Sequence, residues 1–288
     1  MRAFAEFVMR GRAQAWGVGI GCAILPFFHW IGTAVVGLVL LRRGPVEGAL
    51  LMLWASLPLV AWYMVNQDAS PLLVLIGTFG LAYILRSTAS WELTLCAAVV
   101  VAGVSGLVFS VLSADLLVVL GEWYLEVVAQ VQQGEGPEML PEDARQVLVG
   151  LFAMGQAVAM IGALLLSRWW QSVLYNPGGF QQEIHSLRLS PVMSSVIVGA
   201  MVLVLLIGDP AWTRWIPLLT VPLIMSAVGF IHWLIKAKGL PMTWLVVFYV
   251  SFLLLIQLLY PLLTSVALLD SWMDLRKRFG SEKPDNEV

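Results

Sequence analysis

Residues 258–280, LLYPLLTSVALLDSWMDLRKRFG, begin as an apolar run, meet Pro261, set Asp270 and Asp274 among hydrophobic neighbours and end in the consecutive cations Arg276, Lys277 and Arg278. Which side of a bilayer holds those cations decides how often the chain crosses it. That the relevant solvent is lipid follows from composition: 60% of the 288 residues are hydrophobic and only 12% are charged. Apolar runs long enough to span a bilayer alternate with short polar breaks, which no soluble core requires. The formal net charge of -2 says little, because in a bilayer the placement of cations outweighs their sum.

Apolar segments at about 13–41, 46–65, 71–86, 91–113, 147–174, 191–208, 215–235 and 241–269 suggest one crossing each. Threaded with the N-terminus inside, that count leaves Arg42, Arg43, Arg86, Arg168, Arg188, Lys236 and Lys238 on the outer face. The inverse exports Arg2, Arg10, Arg12 and the basic end of the chain. Both arrangements offend the positive-inside rule. Length supplies the repair. As single helices, 4–41 and 241–277 would measure about 57 Å and about 55 Å, against a hydrocarbon core of ~30 Å. Each has a proline near its middle, Pro26 in ILPFFHW and Pro261 in LLYPLL, flanked by aromatic residues. Each is therefore predicted to be a proline-broken hairpin. The chain becomes an all-α polytopic membrane protein of about 8 to 10 segments with both termini cytoplasmic. Of its 16 lysines and arginines, all but Arg145 and Arg214 then lie inside. The opening stretch becomes an outer turn at Pro261, a returning arm and an inner basic anchor. The arms at 28–41 and 261–275, roughly 21–22 Å long, must lie against other helices or extend into the headgroups.

The chain reads as a single integral membrane domain, 1–288, with an acidic amphipathic extracytoplasmic insertion at 114–146 and a cytoplasmic polar tail at 279–288. In the insertion, Asp115, Glu122, Glu126 and Gln133 share one helical face, while Leu116, Val119, Leu120, Trp123, Val127 and Val128 occupy the rest. The run Gly134-Glu135-Gly136-Pro137 marks a turn, and PEDARQVLVGLF starts the next helix with proline and acids in its first turn. The two arms are expected to pack as an external hairpin. NPGGF at 176–180 is a second turn, followed by a short inner-surface segment ending at Pro191.

Several sets of residues are candidates for function. Small residues recur every four positions in the first helix, Ala13, Gly17 and Gly21 on one line and Ala15, Gly19 and Ala23 on another. Such faces let helix backbones approach in lipid, either within the protein or as a docking face for a separate membrane subunit. Arg43 and Glu47 stand four apart, as do Asp274 and Arg278, with Asp270 one turn deeper; these form a predicted polar lock. Phe28, His29, Trp30, Trp62 and Trp212 gather near the predicted outer boundary and are the candidate ligand pocket. His29 and His232 lack a second histidine at ligand spacing, so no metal is expected. No nucleophile motif, phosphate-binding loop or dinucleotide loop occurs, so no enzymatic activity, cofactor or nucleic-acid partner is expected.

LLRRGPVEGALL at 40–51, the insertion feeding a helix at 145–174, FQQEIHSLRLSP at 180–191 and ALLDSWMDLRKRFG at 267–280 together resemble the YybS-like family of uncharacterised bacterial membrane proteins. That family is similar in fold to the S components of energy-coupling-factor transporters. The resemblance implies a multi-pass protein of the bacterial inner membrane that binds or transports a small solute and docks on another subunit through its first helix. The alternative is a scaffold or assembly factor for other membrane proteins.

Overall fold

Every regular element among the described residues is a helix. The structure, a computed structural model, describes residues 2–131 and 139–280. The helices are α1 (Arg2–Met9), α2 (Arg12–Ile24), α3 (His29–Arg43), α4 (Pro45–Asn66), α5 (Ser70–Thr88), α6 (Trp91–Leu112), α7 (Ala114–Val131) and α8 (Pro141–Tyr175). After a turn at 176–178 come α9 (Gly179–Ser186), α10 (Pro191–Ile207), α11 (Pro210–Thr213), α12 (Ile216–Ala237), α13 (Thr243–Leu254), α14 (Ile256–Met273) and α15 (Leu275–Gly280). Six are long and apolar enough to cross a membrane: α4, α5, α6, α8, α11 with α12, and α14. A seventh arises if α9 and α10, bent by 57°, are one broken span. The chain divides into two compact units, Met1–Pro177 with Val204–Leu218, and Gly178–Leu203 with Leu219–Val288.

In the first unit the break expected at Pro26 is present. Leu25, which precedes the proline, is extended, and Phe27 takes a positive φ of 65°. The chain turns back, and α3 packs along α2. The contact is close because both helices offer glycine: a Cβ on Gly32 would lie 2.8 Å from the Gly19 carbonyl oxygen. The short returning arm is the most enclosed element of the unit, with every residue from Gly32 to Leu41 buried. At 15 residues, or roughly 22 Å, it is too short to face lipid throughout. Ringed by α2, α4, α5 and α8, it does not have to.

The ends of this unit differ in charge. The last carbonyls of α3 accept from cations: Arg86 Nη1 donates to Leu40 (3.2 Å) and Leu41, and Gln171 Nε2 also donates to Leu41 (3.3 Å). Arg43 donates to the Met9 carbonyl, Arg12 pairs with Glu47, and Arg42 lies over the Tyr175 ring at 3.9 Å. Arg12, Arg42, Arg43, Arg86 and, through Gln171, Arg168 thus share one end. The opposite end is tied together by Tyr63 Oη donating to the Leu112 carbonyl (2.9 Å) and the Ala69 amide donating to Ser113 Oγ (3.1 Å). Arg145 and Arg214 sit there, Arg145 on the Ser110 carbonyl and Arg214 on Gln146. Asp68 and Asp115 flank the Ala69–Ser113 tie, and Glu142 and Asp209 shortly precede Arg145 and Arg214 in the chain.

At that acidic end α7 and the first turns of α8 pack as the expected hairpin, with Leu116, Leu117, Leu120 and Tyr124 against Leu148, Val149 and Phe152. The apolar face predicted for α7 is divided, however. Val119 and Trp123, with Val118, stay exposed beside Asp115, Glu122 and Glu126. Gln133, the turn at 134–137 and the tail from 281 onward lie outside the described residues.

The second unit departs from expectation at Pro261, which lies inside α14 and makes no turn. The break is at Leu255 (φ −118°, ψ 34°), between α13 and α14. In lipid an opened turn strands backbone groups that no water can satisfy, so a proline in an apolar helix is often accommodated at the loss of one ladder bond. Nothing after Pro261 matches the glycines that let α3 fold back on α2. Within this unit Thr220 and Tyr260 share a hydroxyl hydrogen bond, and His232 Nε2 bonds Tyr249 Oη at 2.8 Å.

Candidate functional site

Between the starts of α3 and α5 and the N-terminal half of α8, the first unit leaves a cavity of about 440 Å³. Its walls include His29 and Trp30 from α3, Ser70 and Val74 from α5, and Phe152 and Gln156 from α8. A second cavity of about 190 Å³ adjoins it beneath the Pro26–Phe27 turn, shares His29 and Pro71, and adds Trp62 and Asp68. The larger space is of the size that takes a one- or two-ring molecule. It opens along α8, where Leu151, Gly155 and Ala159 are exposed.

Local folding rules put these groups here. Asp68 Oδ1 accepts from the Ser70 amide (2.9 Å), starting α5 with Pro71 in its first turn. The turn at Pro26 brings His29 and Trp30 to the same level. On α8 the Gln156 side chain replaces a hydrocarbon in an otherwise apolar run, AVAMIGALLL following it directly.

Gln156 is the chemically informative group. It is 3% exposed, and neither Oε1 nor Nε2 has a hydrogen-bond partner among the described residues. Ser70 Oγ, in the same wall, and Trp62 Nε1, in the wall of the smaller cavity, are likewise buried without partners. A buried amide or hydroxyl left unpaired costs about 1–3 kcal/mol per group. The residues that carry these unpaired groups line two adjoining cavities.

No family model, curated protein or solved structure matches the chain. The YybS-like resemblance therefore rests on the sequence segments that suggested it.

Of the candidate pocket residues, His29 and Trp30 line the larger cavity, and His29 and Trp62 the smaller. Phe28 and Trp212 are exposed and line neither. Gln156 and Ser70 were not among the candidates. The signal for Gln156 was present as a lone amide inside a spanning segment, but attention to ionisable groups passes over a neutral one.

The small-residue lines separate. Ala15, Gly19 and Ala23 are buried in packing within the unit, a Cβ on Gly19 meeting Leu51 at 3.1 Å. Ala13 and Gly17 are exposed, and a Cβ on Gly17 or Gly21 would meet nothing within 4 Å.

The polar lock has partners beyond those its spacing suggests. Glu47 pairs with Arg12, not Arg43. Asp274 ends α14 in the left-handed region (φ 50°) and starts α15, where the Arg278 amide donates to its carbonyl (3.3 Å). Its carboxylate meets Arg188 at 2.7 Å and Lys277 at 3.0 Å. Asp270 is paired with Arg276 at 2.9 Å.

Proposed function

We propose that this protein resides in the bacterial inner membrane with both termini cytoplasmic and binds a small solute, without converting it, in the His29–Gln156 cavity. The observation that carries the reading is the unpaired, buried Gln156 amide in the wall of a cavity otherwise lined by apolar and aromatic groups. The cavity lies opposite the arginine cluster, at the end of its unit that the positive-inside rule assigns to the outer side. Resemblance to the S-component type points the same way and adds transport as the purpose of binding.

Gly155 supplies the test. It lines the cavity, and a Cβ there would meet nothing within 4 Å. Gly155→Phe is expected to fill the space and abolish solute binding while the protein melts at or above the wild-type temperature, since it also removes a helical glycine. Native mass spectrometry of gently extracted protein reads the bound mass. A small molecule retained equally by wild type and variant would place binding elsewhere.

The orientation has its own test, in a background lacking Cys22 and Cys96. Asp68→Cys should react with an impermeant maleimide in intact cells, and Arg43→Cys only after permeabilisation. The opposite pattern refutes the assignment.

A second reading, a scaffold for another membrane subunit, is favoured by the outward line of Ala13, Gly17 and Gly21. A photocrosslinker at Gly17 that captures only lipid would exclude it.

A further inference from the structure

We infer that the occupant of the His29–Gln156 cavity is a bilayer-soluble ring compound carrying a hydrogen-bond donor and acceptor side by side, as on the edge of a lactam or cyclic amide. The inference rests on the solute-binding reading above and adds to it the chemistry and the entry route of the ligand. Three observations converge. The first is the Gln156 carboxamide, whose donor and acceptor are both unsatisfied. A lone carbonyl would pair only its Nε2, and a lone hydroxyl can satisfy both atoms only with strained geometry. A neighbouring donor and acceptor matches the pair in one plane, as glutamine does when it reads such an edge in two parallel bonds. Such pairing requires the covered carboxamide to turn about its side-chain torsions to face the ligand.

The second is the rest of the lining. Trp30 and Phe152 present aromatic surface, and Val74, Leu148 and Leu151 present aliphatic surface. Among the described residues no lysine, arginine, aspartate or glutamate lines the larger cavity, which argues against a charged solute there. Ser70 Oγ and the His29 ring remain for one further polar substituent.

The third is the opening. Leu151, Gly155 and Ala159 are exposed on the apolar flank of α8, a helix that is itself long and apolar enough to cross a membrane. A ligand that partitions into the bilayer reaches the cavity through that edge without passing the acidic end of the unit.

The experiment uses the full-length protein in lipid nanodiscs and three probes of nearly equal size: 2-quinolone, with adjacent N–H and C=O; N-methyl-2-quinolone, with the donor blocked; and naphthalene, with neither. Binding above that of empty nanodiscs is read by tryptophan quenching. The wild type is expected to prefer 2-quinolone by about tenfold over the other two, the ratio that one well-formed hydrogen-bonded edge supplies. Gln156→Met, which keeps the volume and removes both polar atoms, is expected to erase the preference while retaining naphthalene. It should also melt higher than wild type without ligand, because an unpaired buried amide has been replaced by an apolar group. If all three probes bind equally and Gln156→Met changes nothing, the edge-recognition inference is overturned and the solute cavity stands. If none binds, or binding survives Gly155→Phe, the cavity reading falls and this inference with it. A lower melting temperature for Gln156→Met would mean that the amide is already satisfied, which also overturns it.

Discussion

Asp270→Ala is expected to destabilise the second unit by about 3–5 kcal/mol, the usual result of removing one partner from a buried ion pair. Asp270 has no exposed surface, and its Oδ2 accepts from Arg276 Nε at 2.9 Å. The same guanidinium donates through Nη1 to the His185 carbonyl (2.5 Å) and through Nη2 to the Leu187 carbonyl (2.6 Å). One arginine thus closes off the end of α9 and the start of the 187–190 break while neutralising the carboxylate. The break is held from other directions as well. Ser271 Oγ donates to the Leu189 carbonyl (3.0 Å), and Arg188 Nη2 donates to the Ser271 carbonyl (3.2 Å). On α12, a Cβ on Gly229 would lie 2.9 Å from the Ile184 oxygen, so the helix packs directly on α9. Deleting the Asp270 carboxylate leaves a guanidinium that is 11% exposed with its charge uncompensated.

The comparison that tests this is unfolding by denaturant in mild detergent, followed by tryptophan fluorescence. Asp270→Asn should fall between wild type and Asp270→Ala, since it keeps an accepting oxygen and loses the charge. The pair Asp270→Ala with Arg276→Met should recover part of the loss, because two apolar groups leave no orphaned charge. Asp274 is the control. Hydrogen bonding from Lys277, and then from Arg188, holds its carboxyl below the usual carboxylate range. Its pairs therefore stabilise the fold above the ordinary carboxylate pKa and are lost as pH falls through the lowered one. Being solvent-accessible, they are also weakened by salt. An Asp270→Ala variant no less stable than Asp274→Ala would refute a buried clamp.

This clamp was only half visible in the sequence. Two acids one turn apart ahead of Arg276-Lys277-Arg278 announce ion pairing, but helical spacing selects Arg278 for Asp274. α14 ends at Met273, and Asp274 also draws Arg188, far away in sequence, and Lys277. Pro26 and Pro261 carry the same signal and give opposite results. What separates them is the following segment: Gly32 meets Gly19 of α2 and allows close antiparallel packing after Pro26, and no glycine follows Pro261 in α14. The charge count was the more robust guide. It sorts Arg12, Arg42, Arg43, Arg86 and Arg168 from Arg145 and Arg214, and within the first unit the side-chain contacts make the same division. The cavity was legible only in part because a pocket is what packing leaves over, and no local pattern encodes it. His29 and Trp30 were reachable through the proline turn, whereas Gln156 required knowing which face of α8 meets α3 and α5.

Gly37→Ala is expected to lower the stability of the first unit by about 2–3 kcal/mol. On an exposed helix the same change would stabilise by up to about 1 kcal/mol, so the predicted sign is opposite to that of helix propensity. The reason is Ser167. A Cβ on Gly37 would lie 2.5 Å from Ser167 Oγ and 3.1 Å from its Cβ. That hydroxyl is fully buried and lies within hydrogen-bonding distance of the Ala34 carbonyl (2.8 Å) and the Ala163 carbonyl (2.7 Å), linking α3 to α8 at the centre of the unit. The added methyl must displace it, and the displaced hydroxyl finds no water inside the bundle. Relief by backbone movement is closed off, because α3 is buried from Gly32 to Leu41 and any shift is passed to α2, α4 and α5. Ser167→Gly alone should cost about 1–2 kcal/mol through the lost hydrogen bond and the helical glycine. In the double variant the clash is gone and the methyl group added at Gly37 keeps its propensity gain, so the loss should be smaller than that of Gly37→Ala by itself. This non-additivity, read from a double-mutant cycle, distinguishes a specific close approach from general sensitivity of a buried helix. Additive losses, or a neutral Gly37→Ala, would mean that α3 and α8 stand farther apart than the glycine requires.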